Sequence, residues 1–172
     1  MTEEILDTTG EEIVPYLIHF SKRGIVPQIL GVEGGFAMTM RKAEGPRLCQ
    51  VIRDATLDKL IGIYCSLGSS VAYINKYGIA HSDLDTANVI VENDLPVIID
   101  WDKATFCSSS HSPDDARLLG STHKILQEAG KRESYSPLEH AFSLALNKER
   151  SKPLEISHAE IARRAYAEFG VA

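Results

Sequence analysis

Residues His81 to Ala104 read HSDLDTANVIVENDLPVIIDWDKA. Five aspartates, one glutamate and two asparagines are threaded between runs of valine and isoleucine. The β-branched runs Asn88–Glu92 and Val97–Asp100 predict two strands, and Asn93-Asp94 between them is a turn pair, so the stretch is expected to be a hairpin. Asn88 opens the first strand and Asp100 closes the second. In an antiparallel hairpin with a tight turn those two ends lie side by side, and Asp83 sits on the loop just before. Oxygen donors from two side chains, completed by water and phosphate, suit Mg²⁺. A third carboxylate nearby can take a proton from a hydroxyl nucleophile, and phosphoryl transfer needs little beyond positioning and charge neutralisation. For Asp85, Asn93 and Asp94 the plainer explanation holds, that Asp and Asn populate turns.

Around this stretch the chain reads as mostly helical. Glu11–Arg23 predicts a helix, with Pro15 near its start and Gly24 as its stop. QILGVEGGFAMTM predicts two short strands joined at Gly34-Gly35. Leu48–Arg53 reads as a short helix. Thr56–Lys76 is the longest helix, with Leu57, Leu60, Ile61, Tyr64, Leu67, Val71 and Ile74 at three- and four-residue steps and Gly78 as its end. Gly62 and Gly68 inside it each cost about 1 kcal/mol of helix propensity, which close packing is expected to offset. Pro113–Glu128, Pro137–Asn147 and Ser157–Phe169 complete the helices, the last with a capping box from Ser157 to Glu160. This order defines an α+β class rather than alternating β-α-β units.

The bulk properties narrow the function. The 172 residues carry a net charge of −6, which disfavours a dominant nucleic-acid grip, so no direct DNA binding is expected. Three cysteines, Cys49, Cys65 and Cys107, are odd in number and form no CxxC pair, so neither a zinc knuckle nor a disulfide framework is expected. Cys65 on the long helix reads as a buried small apolar group. No apolar run approaches the roughly 20 residues that span a bilayer, and the acidic N-terminus lacks a signal-peptide core, so the expected setting is cytoplasmic. The histidines other than His81 show no metal-ligand spacing, Arg163-Arg164 reads as a solvated helix face, and Ser108–Asp115 as a polar loop.

The order His81-Ser82-Asp83-Leu84, Asn88, then Ile99-Asp100-Trp101-Asp102 resembles the protein-kinase catalytic loop H-x-D-L-x-x-x-N followed by a strand pair ending in a metal-binding Asp. The chain resembles the protein-kinase-like superfamily, and in particular its small atypical branches: RIO kinases, the kinase of the tRNA-modifying KEOPS complex, and aminoglycoside phosphotransferases. YINKYGIAHSDL resembles the family's passage from helix to catalytic loop. DARLLG, from Asp115, resembles the helix whose Asp braces that loop, and MRKAEGPRL resembles the hinge that cups adenine. The resemblance implies Asp83 as catalytic base, Asn88 and Asp100 as Mg²⁺ ligands, and Met40, Arg41, Lys42 and Ala43 as an ATP-binding hinge. It implies structural support from His81 and Asp115. The implied cofactors are ATP and Mg²⁺. The implied domains are a reduced N-lobe with hinge, 1–42, and a helical C-lobe, 43–172.

Several residues depart from the family pattern. Nothing matches G-x-G-x-x-G. Lys22, the only lysine before the hinge, lies at a helix end, and Glu11 or Glu12 in the place of the family's helix Glu has no strand Lys to pair with. Ser82 replaces the Arg of H-R-D, which disfavours an activation-loop phosphorylation switch. Trp101-Asp102 replaces Phe-Gly, and IDWDKA resembles the small-molecule phosphotransferases; Trp101 itself is expected in the core. Two functions follow. One is an ATP- and Mg-dependent phosphotransferase, of serine/threonine type or acting on small molecules, in which a partner chain can complete the site. The alternative is a kinase-like binding or scaffold module, a regulatory subunit that by analogy with the KEOPS kinase serves an RNA-modification complex through its partners.

Overall fold

A computed structural model describes residues 4–107 and 114–170. The chain begins with a strand that the sequence reading did not anticipate, β1 (Glu4–Thr8), and passes through a turn into helix α1 (Val14–Ser21). α1 starts later than the sequence predicts because Gly10–Ile13 close a turn first, the Ile13 N–H donating to the Gly10 carbonyl at 2.9 Å. Pro15 falls in its first turn, where its missing N–H is not needed. β2 (Ile29–Glu33) and β3 (Ala37–Arg41) form the expected hairpin around Gly34 and Gly35, which hold φ of +60° and +79°. β3 lies centrally in an antiparallel sheet ordered β1-β3-β2.

Two helices follow, α2 (Leu48–Asp54) and α3 (Leu57–Lys76), the latter capped by the Thr56 hydroxyl accepting from the Lys59 N–H. Its buried stripe is Leu60, Ile63, Tyr64, Leu67, Val71 and Ile74, with Leu57 exposed at the rim. α3 packs along α5 (Tyr135–Arg150) so closely that a Cβ on Gly68 would run into the Phe142 carbonyl. Gly62, by contrast, faces open space, so only Gly68 answers the expectation of packing. Cys65 is half-buried rather than buried, its thiol 3.8 Å from the Ala141 carbonyl.

After α3, a two-residue strand β4 (Ile79–Ala80) pairs with β7 (Thr105–Phe106), and between them lies the hairpin β5 (Val89–Glu92) and β6 (Leu95–Ile98). Asn93 and Asp94 both adopt positive φ, +52° and +64°, so the turn is the tight two-residue kind that matches strand twist. That turn starts β6 at Leu95 instead of Val97 and leaves Asp100 outside the ladder. Helix α4 (Asp114–Glu128) and helix α6 (His158–Phe169) complete the body. α6 has the expected Ser157 cap, 3.2 Å from the Glu160 N–H, while the Glu160 carboxylate holds Arg163 and Arg164.

One hydrophobic core runs from α1 through α3, α4 and α5 to α6. Trp101 is fully buried in it, as the sequence predicts, 6.4 Å from the Phe20 ring and 4.7 Å from His81. α1 is tied to α3 by His19, whose Nε2 lies 2.7 Å from the Tyr73 hydroxyl, and to α6 by Tyr16 and His158 at 2.7 Å and by Lys22 and Glu168. Burial and the nearby Arg23 charge hold the His19 imidazole below its ordinary pKa. Among the described residues no helix is long and apolar enough to cross a membrane.

Candidate active site

The β5–β6 hairpin is gripped on both edges. On one side the Ile98 N–H donates to the Ile25 carbonyl at 2.8 Å. On the other, the chain from Lys42 to Arg47 runs along β5: Arg47 bridges to Ile90, and the Val91 N–H reaches the Pro46 carbonyl at 2.9 Å. Gly45 permits this approach, since its φ is +147° and an added Cβ would meet the Val91 carbonyl. Arg41 and Glu92 close the junction with two parallel hydrogen bonds of 2.9 and 2.7 Å, and the Glu92 carboxylate also accepts the Glu44 N–H. The Arg41 hydrogen bond holds the Glu92 carboxyl below its usual range.

A rigid hairpin carries a rigid rim. The loop from His81 enters it through the turn Thr86–Asn88, and Asn88 Nδ2 donates to the Asp83 carbonyl at 3.0 Å. The Ile99 N–H donates to the Asn88 carbonyl at 3.0 Å, which brings Asp100 to the same end of the hairpin. Asp83, Asn88 and Asp100 therefore share one rim. Two of the four non-glycine residues at positive φ among the described residues, Ser82 and Asp100, both at +66°, flank it. Such strain costs of order 1–3 kcal/mol per residue and persists where the surroundings over-determine the backbone.

His81 is buried and bonded at both ring nitrogens. Its Nδ1 accepts the Asp83 N–H at 3.3 Å, so Nε2 carries the proton donated to the Ile99 carbonyl at 2.9 Å. It thereby joins the loop to the segment that leads into Asp100. The sequence reading places the brace at Asp115; the structure places it at Asp114. Asp114, 2% exposed, accepts the His81 N–H at 2.7 Å and the Ser82 N–H at 2.9 Å. Asp115 is half-exposed and caps its own helix at the Ala116 N–H. The loop needs one carboxylate beneath two adjacent amides, and helix geometry turns the neighbouring residue about 100° away. Ser108–Pro113, most of the polar loop expected there, lie outside the described residues.

Of the expected hinge residues, Met40 and Arg41 stand in β3. Met40 is buried and paired with Ile29, and the Arg41 N–H is spent on the Gln28 carbonyl at 2.8 Å. Both residues' backbone groups take part in the pairing of this central strand with its neighbours. Lys42 begins the crossover. Ala43 packs with Ile90, Val97 and Ile99 in a small apolar cluster separate from the main core.

Two cations close on Asp83 that no local sequence signal marks. Lys103 Nζ lies 2.5 Å from Asp83 Oδ2, and the Arg117 guanidinium pairs with Asp83 Oδ1. Lys103 is three residues past Asp100 and Arg117 is in the first turn of α4. Both stand within motifs quoted above, IDWDKA and DARLLG, but nothing local aims them at Asp83. The Lys103 hydrogen bond holds the Asp83 carboxyl below its usual range; burial opposes this and the Arg117 charge adds to it. The Lys103 ammonium is raised in turn by Asp83, then by Asp102 and Asp100.

The fold has a counterpart among solved structures. The kinase PK-1 of Cydia pomonella granulovirus matches it with a TM-score of 0.51 over 92% of this chain, at 13% identity. The chain spans 64% of the length of that viral protein. At such identity the likeness shows the fold alone, a kinase-like one with small antiparallel sheets beside a largely helical body. No family model matches the sequence, and no curated protein sequence does.

Proposed function

We propose that the chain is an ATP- and Mg²⁺-dependent phosphotransferase, an atypical kinase acting through Asp83, Asn88 and Asp100. The observation that carries this reading is the convergence of those three residues on one rim, with Asn88 bonded to the Asp83 carbonyl at 3.0 Å and Asp100 one residue past the Asn88–Ile99 bond. With Nδ2 committed to the loop, the Asn88 amide presents its oxygen as the end for a cation. Asn88 and Asp100 then form a two-oxygen donor set that fits Mg²⁺, an ion that keeps water and phosphate among its ligands. The bound ion would supply charge neutralisation at the phosphates. Asp83 accepts the acceptor hydroxyl's proton, and His81 and Asp114 fix the loop that aims it. Lys103, bonded to Asp83 and within the fields of Asp100 and Asp102, is the local cation for the transferred phosphoryl group. The apolar cluster of Ala43, Ile90, Val97 and Ile99 offers a platform for the nucleotide base.

Calorimetric titration with ATP, with and without Mg²⁺, tests this. Expected is binding that requires Mg²⁺ and disappears in Asp100→Ala; equal binding in that variant would sink the reading. A second reading, a regulatory or scaffold subunit, draws on the pairing of both Asp83 oxygens with cations. It is favoured if MgATP fails to bind while a stable protein complex is recovered.

A further inference from the structure

The chain is acidic, with a net charge of −6, yet two cations pair with the proposed base and a third lies on its loop. Lys103 and Arg117 each take one oxygen of Asp83. Arg47, at the end of the crossover, sets its Nη1 2.8 Å from the Ala87 carbonyl on the same loop. The three come from separate parts of the fold. The Lys103 and Arg117 side chains are 59% and 53% exposed, so each is tethered at its head and free along its stem. The nearby acids are largely engaged. Asp85 accepts its own loop's Ala87 N–H at 2.6 Å, and Asp114 holds the loop from beneath. Asp100 belongs to the metal on the reading above, which leaves Asp102 and Glu44 exposed.

An acceptor hydroxyl must come within roughly 2.6–3.2 Å of the Asp83 carboxylate, which is where the two cationic heads sit. A neutral acceptor would displace Arg117 and offer it nothing. A cationic acceptor would meet repulsion from Lys103 and Arg117. An acceptor with its own anionic group exchanges one partner for another: Arg117 moves from Asp83 to the substrate, and Oδ1 is freed for the hydroxyl. We propose, resting on the phosphotransferase reading, that the phosphate acceptor is a small hydroxyl compound bearing a phosphate or carboxylate group, which Arg117 and Arg47 bind. In the step, the acceptor oxygen bonds to the γ-phosphorus as the bond to the bridging oxygen breaks. That electron pair leaves on the nucleoside diphosphate, and the hydroxyl proton passes to Asp83.

The test is calorimetric titration of the full chain, in MgADP, with three probes that share a primary hydroxyl: glycerol 3-phosphate, glycerol and choline. Expected is binding of glycerol 3-phosphate at least about tenfold tighter than of glycerol, and weaker binding still for choline. Arg117→Gln and Arg47→Gln should each weaken glycerol 3-phosphate by about fivefold or more while leaving MgATP affinity unchanged. Arg117→Glu should reverse the order of glycerol 3-phosphate and choline. Equal affinity for the three probes, or indifference to Arg117→Gln, overturns the acceptor assignment and leaves the nucleotide reading standing. Loss of MgATP binding in Arg117→Gln also overturns it, because the guanidinium would then serve the donor phosphates. Absence of MgATP binding in the unsubstituted chain, with Arg117-dependent glycerol 3-phosphate binding intact, keeps the anion site and sinks the nucleotide reading.

Discussion

Asp114 and Asp115 are chemically identical neighbours with different fates. Asp114→Ala would strip the acceptor from the buried His81 amide and the half-buried Ser82 amide, a cost of about 2–4 kcal/mol. Asp115→Ala removes an exposed helix-start contact and should cost less than about 1 kcal/mol. Urea unfolding of the two variants checks this, and a larger loss at Asp115 would contradict the bracing role given to Asp114. Asp83 gives a pH prediction. Its carboxyl is depressed, so the stability from its ion pairs is fully present above the ordinary carboxylate value of about 3.9 and is lost as pH falls through the lower folded value. Nothing from this group should change between pH 6 and 8. In Lys103→Ala the Asp83 titration, followed by carbon NMR of the carboxyl, should move upward; a stationary midpoint would mean that Lys103 is not the cause.

Within elements, the two glycines of α3 separate what helix propensity favours from what packing requires. Gly62 meets open space, so Gly62→Ala should stabilise the chain by about 0.5–1 kcal/mol through helix propensity. Gly68 abuts the Phe142 carbonyl of α5, so Gly68→Ala forces the helices apart and should cost about 1–3 kcal/mol. Thermal unfolding of both should give melting shifts of opposite sign. The sequence shows both glycines at helical positions and cannot tell them apart, because the partner backbone lies about 75 residues away in the chain. The β5–β6 hairpin shows the opposite case. Its existence is legible from the β-branched runs and Asn93-Asp94, while its bounds shift: Asn88 falls in the turn before β5, and β6 starts at Leu95 and ends at Ile98.

At the scale of the whole molecule, the hairpin and the three-stranded sheet are joined through Arg41 and Glu92. The pair is bidentate and its side chains are 26% and 18% exposed, so solvent screens it only in part. Glu92→Ala should cost about 1–2 kcal/mol and reduce hydrogen-exchange protection at the β2–β3 amides more than in α3. Equal loss in both places would mean that the pair serves general stability rather than this junction.

The sequence by itself determined the parts whose cause is local. Helices and hairpins follow from apolar spacing over a few residues, caps and turns from single side chains, and the order Asp83, Asn88, Asp100 from a contiguous stretch that one hairpin must bring together. The tertiary structure alone decided which aspartate braces the loop, which glycine is packed, that a short strand at the N-terminus joins the sheet, and that Lys103 and Arg117 close on Asp83. Those outcomes depend on contacts between residues 20 to 34 or more positions apart. No propensity or spacing rule carries information over that distance; the burial of one shared core does, by fixing where each helix start and strand end must lie.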